Sequence, residues 1–290
     1  MSGLAGVNIS MAGIGLQTTF SLGKAAFPLF SSPSPWVAAS VGQGRVVAMG
    51  KENNVYAACS SSDTTLCTGP AGKLTINTLR WAASYSAGSS SNTIVSIRIA
   101  ADSGAADATF FTNLVSAASI AGINIVPPSD RSTFFLDATD LPNIASGADA
   151  LLDVYITTAY VEYTGQQRDA LGAFVTGGGG LLIGGQTWFY YSEDNVETYP
   201  GNVLMAQLDA GITWTASTGV DDPTWLVAPQ NPPHVATTAI TPENGLQLGN
   251  SQWRTYKQCN DGTWLAGLRT RVQAKQGAAD DSGLNAVTGR

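Results

Sequence analysis

From residue 36 to about residue 215 the sequence alternates short β-rich runs with helical patterns, and this alternation restricts the fold more than any other feature. "WVAASV" and "RVVAMG" are β-rich runs separated by "GQG", a hairpin signal. "AGKLTINTLRWAASYS" reads as a helix, and "TIVSIRIA" as the near-continuous apolar run of a parallel strand buried on both faces. Asp107 is placed to cap the helix "ATFFTNLVSAASIAG", in which Phe110, Phe111, Leu114, Val115 and Ala118 share a face and Gly122 supplies the stop. "INIVP" and "DVYITTAY" are further strands. In "TGQQRDALGAFVTGG", Thr164 and Gln167 have capping-box spacing, Leu171, Phe174 and Val175 form the buried stripe, and Gly177 ends the helix. "LLIGG" is the next strand, and "NVLMAQLDAG" is a short helix before "ITWT".

Strands alternating with helices of this length imply a parallel sheet covered on both faces, here a flavodoxin-like, doubly wound α/β domain. The glycine run Gly177 to Gly180 follows a helix and precedes a strand. A phosphate loop has the opposite order, with its amides at a helix N-terminus, and no Walker lysine is present. The run is therefore a helix cap and a tight turn. Gly184 and Gly185 do follow a strand, and ligands of open α/β sheets bind outside the C-terminal strand ends. Gln186, Thr187 and Trp188 stand at that place, and Tyr160, Lys51 and Glu52 follow other strands, so all six are candidate ligand contacts on one rim. The competing reading makes them loop residues, with Trp188, Phe189, Tyr190 and Tyr191 capping the sheet.

The formal charge of −7 leaves no basic stripe for nucleic acid, and no apolar run reaches membrane-spanning length. With 44% hydrophobic and 12% charged residues, a large core has a surface of Ser, Thr, Asn, Gln and Gly. The N-terminus lacks signal-peptide character, so either the protein is not secreted or its true start lies upstream. From Trp253 onward six Lys/Arg face three Asp/Glu, whereas the preceding residues hold eight against eighteen. That shift suggests a boundary near residue 245; the expected organisation is an N-terminal extension, 1–32, an α/β domain, 33–245, and a C-terminal segment, 246–290.

"PSPWVAASVGQGRVVAMGKE", "INTLRW", "LGAFVTGGGGLLIGGQTWFYY" and "YPGNVLMAQLDAGITWT" resemble the N-terminal domain of the TRP channel-associated factor family, over roughly residues 33 to 216. Related domains accompany enhancin-like, mucin-directed zinc peptidases. The resemblance implies a fold related to class I glutamine amidotransferases, where an elbow Cys is activated by a His with a carboxylate behind it. Here the elbow holds Gly185, Gln186 and Thr187, and the cysteines are Cys59, Cys67 and Cys259. The single histidine, His234, lies in the Pro-rich "NPPHVATT", and Lys51-Glu52 stand where related domains often carry His-Glu. One histidine cannot build His-Glu-x-x-His. Asp221-Asp222 and Asp280-Asp281 lack metal-loop spacing and read as solvated turns. No catalytic residue, metal site or cofactor is expected.

"WLAGLRTRVQA" alternates as an antiparallel strand does. The segment around it, from Trp253 and Cys259 to "DDSGLNAV", resembles one repeat of vitelline membrane outer layer protein. That family implies a secreted three-sheet β-prism with suggested carbohydrate recognition. One repeat cannot close a prism, so an incomplete β-prism segment is expected, with Cys259 unpaired and its partner cysteine just beyond Arg290. Cys59 and Cys67 flank "SSSDTTL", a loop readily closed by a disulfide in an oxidising compartment; the alternative is two free cytosolic thiols.

These readings favour a non-catalytic interaction module of an extracellular or cell-surface multidomain protein, with a glycan or glycoprotein partner, no nucleic-acid partner and no membrane insertion. One alternative is a hydrolase or amidotransferase-like enzyme using Gln186 and Thr187. Another is an intracellular channel-associated adaptor. The sequence leaves the oligomeric state open.

Overall fold

The computed structural model describes residues 8–10, 17–23, 26–30, 35–51, 59, 67–83, 95–144, 151–187, 191–216, 224–226, 268–271 and 286–289. The chain divides into two compact units, residues 1–234 and 235–290. In the first, strands β1 (Asn8–Ser10), β2 (Phe20–Leu22), β3 (Ala26–Pro28), β4 (Trp36–Val41) and β5 (Gly44–Met49) precede helix α1 (Pro70–Ala82). Then come β6 (Val95–Ala101), α2 (Ala108–Ile120), β7 (Ile123–Val126), a short α3 (Leu141–Ile144), β8 (Val154–Thr158), α4 (Gly165–Thr176), β9 (Gly180–Gly184), α5 (Pro200–Gln207), β10 (Ile212–Trp214) and β11 (Thr224–Leu226). In the second unit, β12 (Leu268–Arg271) pairs antiparallel with β13 (Ala286–Gly289), which places a strand within "WLAGLRTRVQA".

The helix boundaries follow their caps. Asp107 Oδ1 accepts from the Phe110 amide at 2.7 Å, and Gly122, at φ 72°, releases the chain after α2 into β7. Thr164 and Gln167 form a complete capping box ahead of α4. On α1, Pro70 suits the first turn, and the far end is closed by Arg45, which donates to the Trp81 carbonyl and lies 5.0 Å over its ring.

Seven strands form one sheet in the order β3-β4-β5-β9-β8-β6-β7. The five from β5 to β7 are parallel, and β4 and β3 extend the sheet antiparallel. The molecule is thus mixed α/β with a largely parallel sheet, compatible with a flavodoxin-like fold. Counted from β6, the parallel strands take the order 2-1-3-4-5, with β5, the first of them in sequence, in fifth place. Alternate side chains go to opposite faces. Val47, Met49, Ile97, Ile99, Ile156 and Leu182 pack with α1 and α2; Val46, Ala48, Ala100, Tyr155, Leu181 and Ile183 pack with α3, α4 and α5. Each large apolar side chain so buried contributes roughly 1.5–3 kcal/mol.

β6 changes neighbours midway. Val95–Arg98 pair with β7, and Ile99–Ala101 with β8. Asp153, just before β8, covers the join: its carboxylate accepts from the Arg98 amide at 2.7 Å and from the guanidinium at 2.7 and 3.1 Å.

Cys59 and Cys67 are joined by a disulfide, and both are buried against the α1–α2 face. The Asn113 side chain of α2 donates to the Cys59 carbonyl at 2.7 Å. Such bonds persist in oxidising compartments, so this one fits such a compartment. Closing a loop of this length stabilises a fold by about 2–3 kcal/mol, so the Cys59→Ser/Cys67→Ser variant should lose about that much in denaturant unfolding. Intact mass of the non-reduced protein should show one alkylatable thiol; three would contradict the bond.

Candidate functional site

The C-terminal ends of the parallel strands bring several sequence candidates together. Lys51 follows β5, Tyr160 follows β8, and Gln186 and Thr187 follow β9; the first three are half-buried and Thr187 is completely buried. Glu52 and Trp188 lie outside the described residues, as do Phe189, Tyr190, Asp221, Asp222, His234, Cys259, Asp280 and Asp281.

Tyr160 and Gln186 meet: the Gln186 amide donates to the Tyr160 hydroxyl at 3.0 Å. Thr187 faces inward. Its amide donates to Thr18 Oγ1 at 3.0 Å, and its hydroxyl donates to the Thr215 carbonyl. Each of these interactions ties a threonine side chain to a distant backbone group across the end of the sheet.

The elbow itself is packed shut. A Cβ built on Gly185 would overlap the Tyr199 hydroxyl and stand 2.7 Å from the Ala159 Cβ. Trp214 Nε1 donates to the carbonyls of Gly185 and Met49, at 3.0 and 3.2 Å, tying β9 to β5. Asn202 in turn holds Trp214 at both backbone groups: Oδ1 accepts from its amide at 2.7 Å, and Nδ2 donates to its carbonyl at 3.0 Å. Tyr199 is buried under two half-buried rings, Tyr160 at 6.0 Å and Tyr191 at 5.1 Å, both edge-on.

Tyr199, Asn202 and Trp214 are the residues that sequence reasoning did not place at the elbow. Their signal lay in "YPGN" and "ITWT", which carry the family resemblance. Thr18 left no signal, because a single hydroxyl in a polar run has no periodicity to reveal it.

Behind the rim, two phenols are buried on the α3–α5 side of the sheet. Tyr163 is hydrogen-bonded to Thr157 Oγ1 at 2.6 Å, and burial pushes its phenol up to about 12. Burial, helped by the neighbouring Tyr163 and Asp102, raises Tyr155 as well. The unfolded Tyr163 phenol ionises near pH 10 and the folded one near 12, so its contribution, about 2–3 kcal/mol, is complete below pH 10 and lost as pH rises to 12. Alkaline unfolding followed by circular dichroism should be shallower between pH 10 and 12 for Tyr163→Phe than for the parent chain.

Among the described residues no group of three or more His, Cys, Asp or Glu is placed to hold a metal ion, and no helix is long and apolar enough to cross a membrane.

Comparison with known proteins gives one family and one structural likeness to report. No curated protein sequence matches the chain. A solved chain described as "Structure of IMPa from Pseudomonas aeruginosa in complex with an O-glycopeptide" is similar at 12% identity and a TM-score of 0.36, over 73% of this chain and 23% of that one. This chain therefore spans about a quarter of that protein's length. Residues 112–223, from within α2 to beyond β10, match the family model described as "TRPM8, N-terminal domain", in agreement with the channel-associated factor resemblance over that stretch.

Proposed function

We propose that this chain is a non-catalytic interaction module of an extracellular or cell-surface multidomain protein, and that its ligand is a glycan or glycoprotein. The observation that carries the non-catalytic part is the packed elbow. Where the glutamine amidotransferase-like chemistry implied by the resemblance puts a nucleophile, Gly185 is pressed by Tyr199 and Ala159, and Thr187 is spent on internal hydrogen bonds. An elbow side chain without room cannot meet a substrate carbonyl. The disulfide supports an extracellular setting. The ligand class rests on the C-terminal β-prism resemblance and on the half-buried Tyr160 and Tyr191 rings, both packed on Tyr199, the first of them bonded to the Gln186 amide. Amphipathic rings of this kind offer an apolar face to a sugar ring and a hydroxyl to its edge.

The test is binding of the full chain to immobilised mucin-type glycopeptides and free glycans, alongside a fluorophosphonate probe. Saturable glycan binding without labelling is expected. Labelling abolished by Thr187→Ala would replace the module with a hydrolase.

A second reading, an intracellular channel-associated adaptor, draws on the match of residues 112–223. It is separated from the first by the state of Cys59 and Cys67 in natively produced protein: free thiols favour the adaptor, the disulfide the extracellular module.

A further inference from the structure

We infer that residues 17–23 are a strap that shuts the strand-end elbow, and that the groove beneath accepts an extended peptide strand once the strap has left. The strap is held at every step. The Thr18 amide donates to the Gly50 carbonyl at 2.9 Å, and Thr18 Oγ1 accepts from the Thr187 amide at 3.0 Å. The Thr19 carbonyl accepts from the Thr215 amide at 3.0 Å, and the two threonine hydroxyls lie 2.8 Å apart. Phe20–Leu22 then pair antiparallel with Trp214–Ile212, and the Phe20 ring lies 5.1 Å from that of Trp214. The Gly23 amide closes the run on the Gly211 carbonyl at 2.6 Å.

This is the geometry of β-strand addition, in which main-chain bonds hold an extended segment and alternate side chains select it. Gln17 and Thr18 are buried, Thr19 and Phe20 half-buried, and Ser21 to Gly23 exposed. Among the described residues β10 has no strand partner other than the strap. The seven-stranded sheet does not use the strap, since its edge strand β3 begins at Ala26. Departure would therefore leave that sheet intact while freeing the Gly50 carbonyl, the Thr187 and Thr215 amides and the β10 edge. The occupant that fits this set is a strand with a small hydroxyl residue at the Thr18 position and an aromatic two residues later. The strap has that pattern, so it acts in cis as the competitor of any incoming strand. This inference does not depend on the glycan reading.

A protease site placed between Gly23 and Ala26 in the full chain tests it. After cutting, a labelled peptide of residues 16–24 should exchange into the groove, binding the cut protein at least about tenfold more tightly than the uncut protein, whose groove is filled in cis. The same peptide with Thr18→Val should bind more weakly. Equal binding to cut and uncut protein, or none, would overturn the inference. Should cutting unfold the domain, the full-length Thr18→Val variant decides. Its Thr215 amide, which donates to the Thr19 carbonyl and not to the substituted side chain, should exchange hydrogen at least about tenfold faster while β8 amides stay protected, because only the strap is loosened. Unchanged exchange at Thr215, or equal acceleration throughout β8, would show that the strap is not a separable unit.

Discussion

Gly72→Ala is expected to destabilise the protein by at least about 3 kcal/mol, the upper end of overpacking costs. A Cβ on Gly72 would overlap the Cys67 carbonyl oxygen and stand 2.7 Å from the Cys67 Cα. The obstacle is backbone, and it cannot retreat freely. Cys67 is bonded to Cys59, and the Cys59 carbonyl is held by Asn113 on α2. Helix propensity alone favours alanine by about 1 kcal/mol, so the sign of the change decides between close approach and propensity. Denaturant unfolding gives that sign. The same substitution in the Cys59→Ser/Cys67→Ser background should cost less, because the released loop can move aside.

Asn202→Ala should cost about 3–4 kcal/mol. It removes three hydrogen bonds and strands the amide and carbonyl of Trp214 in the interior, where each orphan costs about 1–3 kcal/mol. The third bond, from Nδ2 to the Val196 carbonyl at 2.8 Å, anchors the turn that leads into α5. Asn202→Asp keeps the acceptor for the Trp214 amide but loses both donated bonds and introduces a charge, so it should fare no better. The midpoint of urea unfolding measures the loss. Hydrogen exchange at Trp214 and Thr215 should accelerate more than exchange in α2, which shares no hydrogen bond with Asn202.

Much of the sheet and its helices was legible from residue 36 onward because each element carries its own local signal. Caps at Asp107 and Thr164, stops at Gly122 and Gly177, and apolar runs such as "LLIGG" are written within a few residues. The early strands were not legible. β2 and β3 are three residues each, too short for alternation to stand out, and they are strands because of partners at 212–214 and 37–39. The short helix at Leu141–Ile144 was missed for the same reason. At the site, sequence located the rim but could not say which way a side chain faces. Tyr160 and Gln186 meet there, as their strand-end positions suggest, whereas Thr187 turns inward to Thr18, 169 residues away in sequence. Nothing local to "GGQTW" encodes that partner.

The placement of β5 has a consequence for biosynthesis. The β4–β5 hairpin is made early, yet its parallel neighbour is β9, with Arg45 set against Gly180 and Met49 against Gly184. Between them the ribosome must deliver α1, β6, α2, β7, α3, β8 and α4. Throughout that interval the apolar hairpin presents an open edge, the kind of surface that invites pairing with another chain. Loop closure over such a span is slow compared with the local αβ steps. A nascent chain arrested before residue 180 should therefore be far more prone to self-association than one extended through β9, and slow refolding phases should report the docking of β5.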